Sequence, residues 1–270
     1  MQLETDLSEQ SFRLISQWLY QRSGIHLGDE KKVLVKARLA ARLRDLQLGN
    51  FEQYLELINS HSAASEQQIA LNSLTTNETY FFREEAHFEF LQRWLPKAPL
   101  CQPLHCWSAA ASSGQEAYSL AMMLADKYGF NTDWNIQGTD INSEMVQAAR
   151  RAVYPLAQAD RIPLPKLQKY CRKGRGKDSG SFMVTPELRK KVQFFQLNLM
   201  QMSAETVRFD VILLRNVLIY FKATDRKYLV NQLLQRLKPG GLLLVGHTES
   251  INGYDEGLKL LQPACYQWLP

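Results

Sequence analysis

Apolar runs of this 270-residue chain repeatedly end on polar side chains, and those residues are the ones able to do chemistry. Leu104 to Ser108 opens into the small-residue loop Ala109 to Gly114 and then Glu116; Trp134 to Thr139 ends at Asp140; Phe194 to Leu197 ends at Asn198 and Leu199; Phe209 to Leu214 ends at Arg215 and Asn216. An acid after the second strand suits a ribose, which offers both hydroxyls as donors. Loop residues without bulk let backbone approach a ligand, and a helix from Gln115 onward aims free N–H groups at it. Together these describe a nucleoside-binding crevice. The loop has neither G-x-G-x-x-G nor G-x-x-x-x-G-K-[ST], which argues against a pyrophosphate or triphosphate ligand. Plainer readings stand beside these: Asp140 as a helix N-cap, and the loop as a tight strand-to-helix turn.

The elements that must position these residues follow from periodicity. From residue 96 onward strands alternate with helices at Ser143 to Arg151 and Thr224 to Leu237, and Lys238 to Gly241 reads as a turn into a strand over Leu242 to Gly246. A last strand runs from Cys265 to Leu269. This is an α/β pattern with a mostly parallel sheet. Residues 9–75 instead show helical spacing with no convincing strand, and 1–75 form a small all-α domain. Between the two, residues 76–95 hold Asn77, Thr79 and Arg83 among the aromatics Tyr80, Phe81 and Phe82, then a helix to Trp94. The aromatics either seal two domains together or line a ligand site at that seam.

Two basic stretches remain. On a helix over Asp29 to Leu48, Lys31, Arg38 and Arg42 share one strip, while Leu34, Ala37 and Ala41 share another face. The charges are either a solvated face or a docking face for an acidic partner. Residues 170–193 break the alternation with Gly174, Gly176 and Gly180 and read as a small basic hairpin, a loop or a binding element.

Composition sets bounds on these readings. A hydrophobic fraction of 45% supports one large core or two unequal ones, and a net charge of +5 permits an acidic partner without choosing one. The longest apolar runs are far too short to span a bilayer, and the acidic start MQLETDLSEQ shows no secretory signal. Cys101, Cys106, Cys171 and Cys265 form no C-x-x-C pair and are expected as reduced thiols of a cytosolic protein.

The motifs LTTNETYFFRE, WSAAASSGQEAYSLAM, GTDINSEMVQAAR, VILLRNVLIYF and KPGGLLLVGHTES, in that order, resemble the bacterial chemotaxis receptor glutamate O-methyltransferases, the CheR family. The resemblance covers nearly the whole chain. It implies an S-adenosylmethionine-dependent, Rossmann-like methyltransferase domain over 96–270, with a small β-subdomain inserted at 170–193 and the helical domain ahead of it. It implies cofactor contacts from Asn77, Thr79, Arg83, Glu116, Asp140, Asn198, Leu199, Arg215 and Asn216, with Arg83 and Tyr220 near the reacting methyl.

The implied partner is the cytoplasmic helical domain of methyl-accepting receptors, met by Lys31, Arg38 and Arg42. The loop Gly174, Gly176 and Gly180 resembles the element by which some members hold a receptor's C-terminal pentapeptide. A cytoplasmic monomer, no metal, no nucleic acid and no membrane insertion complete the expectation. A nucleic-acid methyltransferase is disfavoured because no N-P-P-Y-like segment follows Leu214 and no P-C dipeptide is present. His247 and Glu249 are read as pocket supports, since no second histidine lies at ligand spacing in the sequence.

Overall fold

The computed structural model describes residues 6–60, 62–97, 99–203 and 207–270. The chain divides into two compact units, Met1–Thr76 with Tyr220–Asp225, and Asn77–Ile219 with Arg226–Pro270.

The first unit is helical. Helix α1 (Glu9–Ser23) starts at Ser8, whose Oγ accepts from the Ser11 N–H at 3.0 Å, and stops at Gly24 with φ +75°. After one 3-10 turn come α2 (Lys32–Asp45), α3 (Phe51–Asn59) and α4 (Ala64–Leu74). The face that α2 buries is Val35, Leu39 and Leu43, spaced four apart, not the expected Leu34, Ala37 and Ala41; Ala37 and Ala41 are exposed. Burying a Val or Leu side chain is worth about 1.5–3 kcal/mol, far more than an Ala methyl, so the larger residues set the rotation of the helix.

The second unit opens with α5 (Glu85–Trp94), β1 (Leu104–Ser108), α6 (Gln115–Tyr128), β2 (Trp134–Asp140), α7 (Ser143–Arg151) and β3 (Val153–Pro155). It continues through α8 (Leu164–Tyr170), β4 (Cys171–Lys173), β5 (Ser181–Val184), α9 (Pro186–Arg189), β6 (Val192–Gln196) and β7 (Phe209–Leu214). Helix α10 (Ala223–Leu234) leads to β8 (Leu237–Val245), β9 (Leu258–Gln262) and β10 (Cys265–Trp268). The main sheet has the order β6-β2-β1-β7-β8-β10-β9. Its pairings are parallel from β6 to β8 and antiparallel at β10 and β9. The order reverses direction between β1 and β7, which makes the carboxyl ends of those strands the place for a ligand.

Several boundaries differ from the sequence expectation. Strand β8 starts at Leu237 and runs through the expected Lys238 to Gly241 turn, with a register shift between Phe209 and Val211 absorbing the irregularity. Strand β9 was not anticipated; its LKLLQ has no alternating burial because it is the sheet edge. The small antiparallel sheet β3-β5-β4 draws its first strand from Val153, ahead of the expected 170–193 insertion, while Val192 and Gln193 belong to the main sheet. At the opposite edge the guanidinium of Arg150 donates to the Phe194 carbonyl, blunting β6 against pairing with another strand.

Candidate active site and family

The loop from β1 to α6 is small for packing reasons as well as for access. Gly114 sits at φ +96°, and a Cβ there would lie 2.9 Å from Ala149 and 3.1 Å from the Tyr154 hydroxyl. Gly138 on β2 has Phe194 against it in the same way, 2.5 Å from where a Cβ would be. Backbone is thus drawn tightly around the end of β2. There Asp140, 8% exposed, accepts the Ser112 N–H at 2.8 Å and the Asn142 N–H at 2.9 Å, while Asn142 itself caps α7. The N-cap reading of Asp140 therefore passes to Asn142. Burial raises the Asp140 carboxyl above its ordinary range, opposed by these main-chain donors.

Two further contacts gather around the end of β2. Ser112, held at φ +48°, donates its hydroxyl to the Asn77 carbonyl at 2.9 Å, which ties the segment 77–83 to the loop. Leu197 N–H bonds to the Asp140 carbonyl, setting Asn198 beside the end of β2; the Asn198 side chain accepts from Met200 N–H, and Leu199 is buried. Thr79 is half-buried.

At the end of β7, Arg215 is the centre of a buried polar lattice. Its Nη1 donates to Glu116 at 3.0 Å, its Nε and Nη2 to Glu84 at 3.3 and 3.1 Å, and its Nη2 also to the Arg83 carbonyl. The other Glu116 oxygen accepts the Ser108 hydroxyl at 2.7 Å. The other Glu84 oxygen accepts Asn216 Nδ2 at 3.1 Å and the His247 N–H at 3.2 Å. Burial pulls both carboxyls upward; at Glu116 it prevails over Arg215, whereas at Glu84 Arg215, Asn216 and the His247 N–H outweigh it and leave the carboxyl low. Sequence reasoning assigned Glu84 no role, yet it joins the linker to the ends of β7 and β8. Glu249 ties the ends of β7 and β8 to each other: it accepts from the N–H groups of Gly246, Asn216 and Ile219 at 2.6, 2.9 and 3.3 Å. Gly246 is required there, since a Cβ would stand 2.6 Å from Asn216 Nδ2.

Residues 77–266 match the family domain described as "CheR methyltransferase, SAM binding domain", and residues 10–75 match "CheR methyltransferase, all-alpha domain". The chemotaxis protein methyltransferase of Escherichia coli is 39% identical over 262 residues, 96% of this chain and 91% of that protein. Chemotaxis protein methyltransferase 2 of Pseudomonas aeruginosa is 37% identical over 253 residues, 92% of this chain and 89% of that protein.

The chain belongs to the CheR methyltransferase family. As a CheR methyltransferase it is an S-adenosylmethionine-dependent enzyme built from an all-α domain and a Rossmann-like domain. The strand ends fit that cofactor: a buried carboxylate stands where a ribose needs an acceptor, and the loop beside it is small.

Tyr220 belongs with the helical unit, where its carbonyl accepts the His26 N–H at 2.8 Å. The expected docking strip is not a free face. Arg38 donates to the Leu74 carbonyl at 2.8 Å and to Thr76 Oγ1 at 3.0 Å, and Arg42 forms a two-pronged bond with Glu66, itself held by the Tyr54 hydroxyl. Lys31 is exposed. Gly174 makes the hairpin possible, with the Asp178 carbonyl 2.1 Å from where a Cβ would be; Gly176 and Gly180 have φ of +58° and +91° and open space around them.

One expectation about histidines needs correcting. A second histidine does lie beside His247: the His87 ring is 4.5 Å away, centroid to centroid, and Glu84, His87 and His247 could each offer a ligand atom to one ion. Arg215 occupies the Glu84 carboxylate, and its charge opposes a cation there. Burial and Arg215 push the His87 imidazole down to about 3, so it is neutral at physiological pH.

Proposed function

We propose that this CheR methyltransferase transfers the methyl group of S-adenosylmethionine to glutamate side-chain carboxylates of chemotaxis receptors, giving glutamyl methyl esters. The observation that carries the reading is the convergence of Asp140, Asn198, Glu116 and Arg215 at the switch point of a sheet whose chain matches both family domains. Asp140 accepts the ribose hydroxyls, Asn198 and Leu199 border the adenine, and Asn77, Thr79, Arg83, Glu116, Arg215 and Asn216 surround the methionine portion.

The cofactor supplies an electrophilic methyl on a sulfonium. A glutamate, with an ordinary pKa near 4.3, is already the nucleophilic anion at neutral pH, so no general base is needed. The protein's task is alignment of oxygen, carbon and sulfur and removal of water from the carboxylate. Arg83 orients the carboxylate by a charge-assisted bond.

The receptor's helical domain docks on the exposed side of α2. There Lys31 and Arg44 carry charge and Val33, Ala37 and Ala41 leave room for a close helix. A receptor C-terminal peptide adds as a strand to the edge strand β4, whose Arg172 and Lys173 are exposed. The protein acts as a cytoplasmic monomer; no helix among the described residues is long and apolar enough to cross a membrane.

Incubation with methyl-labelled S-adenosylmethionine and receptor fragments, followed by alkaline treatment, tests the reading. Volatile labelled methanol is the expected result. Label that resists base, or appears in RNA instead, would overturn it.

A further inference from the structure

The aromatic segment after Asn77 holds a second cation that neither the sequence motifs nor the cofactor explains. The Arg83 guanidinium carbon lies 5.6 Å from the Tyr80 ring centroid, over the ring, and that of Arg161 lies 5.1 Å from the same centroid. Arg161 is the last residue of a 3-10 turn, Leu156–Arg161, that follows β3, and it is exposed. Two guanidinium groups thus share one ring. Among the described residues neither has a carboxylate within the 4.0 Å of an ion pair: Arg83 donates to the Glu78 carbonyl at 2.8 Å, and Glu85 and Asp160, which line the adjoining cavity, stand off from both.

That cavity, about 600 Å³, has Phe82, Ile162 and Leu164 in its walls. Contact with the ring is worth roughly 0.5–2 kcal/mol for each guanidinium but provides neither with a carboxylate partner. An arriving pair of carboxylates would neutralise both, each through the two-pronged geometry that a guanidinium favours.

Building on the proposed glutamate methylation, we propose that Arg161 is a specificity-determining residue that binds a second acidic side chain of the receptor segment, next to the glutamate held by Arg83. The enzyme therefore selects glutamates with an acidic neighbour. Arg161 contributes to recognition and leaves the methyl-transfer step to other groups.

The test compares the wild-type enzyme with Arg161→Ala and Arg161→Lys on two receptor fragments, one native and one with the acids flanking the methylated glutamate changed to their amides. Cofactor affinity is measured in parallel by calorimetry. For the native fragment, Arg161→Ala is expected to raise KM about five- to tenfold with kcat within about twofold, and Arg161→Lys to recover part of the loss, because a point charge replaces the fork. The amide fragment should cost the wild type a similar factor and cost Arg161→Ala nothing further. Cofactor affinity should be unchanged in all three proteins. Unaltered KM in Arg161→Ala, or full additivity of the two changes, overturns the assignment while methylation itself stands. A wild-type enzyme that methylates neither fragment would instead sink the glutamate reading on which it rests.

Discussion

Arg215 and Arg161 are both arginines of the second unit, and they are treated oppositely. The Arg215 side chain is 1% exposed and meets two carboxylates and a carbonyl. Arg161 is exposed, meets an aromatic face, and has no acid within ion-pair distance among the described residues. A charge whose partners belong to the same chain is scaffold: it fixes where the ends of β7, β8 and the linker go before any ligand arrives. A charge left without such a partner is available to something outside the chain. The helical unit repeats the contrast, with Arg42 bound to Glu66 and Lys31 and Arg44 exposed.

Removing a committed cation should have the largest effect. Arg215→Ala leaves Glu84 and Glu116 buried without their shared partner and is expected to destabilise the protein by roughly 3–5 kcal/mol, with cofactor binding lost; urea unfolding and calorimetry check both, and a stable variant with intact affinity would erase the distinction.

The same lattice predicts a pH effect. Below 6.5 an unfolded histidine takes a proton that folded His87 refuses until about 3, so stability falls as pH drops through that window, by about 1.4 kcal/mol per unit, or about 2 kcal/mol at pH 5. In His87→Leu the stability difference between pH 7 and pH 5 should shrink by that amount in paired urea melts.

Glu66→Gln, which weakens the Arg42 pair, is expected to cost about 1–2 kcal/mol and to leave cofactor affinity alone. The smallest change in stability, within about 0.5 kcal/mol, is expected for Lys31→Glu with Arg44→Glu, which should nevertheless slow receptor methylation several-fold at low salt and less at high salt. A rate insensitive to these reversals would place docking elsewhere.

The strand ends were legible in the sequence because a buried strand announces itself as an apolar run, and the polar residue that stops it is conspicuous: Asp140, Asn198 and Arg215 needed no other signal. Glu84 was not legible. It sits at φ +56° ahead of α5 and works through partners far along the chain at Arg215, Asn216 and His247, so no local pattern marks it. Glu249 was legible as a pocket support from its place in the GHTES segment at a strand end, but its three N–H partners at Gly246, Asn216 and Ile219 were not. The rotation of α2 was misread because Ala37 and Ala41 count as apolar in any periodicity while contributing little to burial. His87 looked like one more residue on a helix; its neighbour His247 comes from another strand's end.

The short segment Tyr220–Asp225 belongs with the N-terminal helices, although the whole of Asn77–Ile219 is made between them. The Tyr20 hydroxyl bonds to Asp225 at 2.9 Å, and Lys222 lies over the Tyr20 ring. On a ribosome adding ~5–20 residues per second, the helices of the first unit wait on the order of ten seconds for this last strip of their own surface. A fragment begun at Asn77 would carry Tyr220 but lack the His26 N–H that its carbonyl accepts. Birth order and spatial order differ here, so the first unit to emerge is completed only after most of the second has been synthesised.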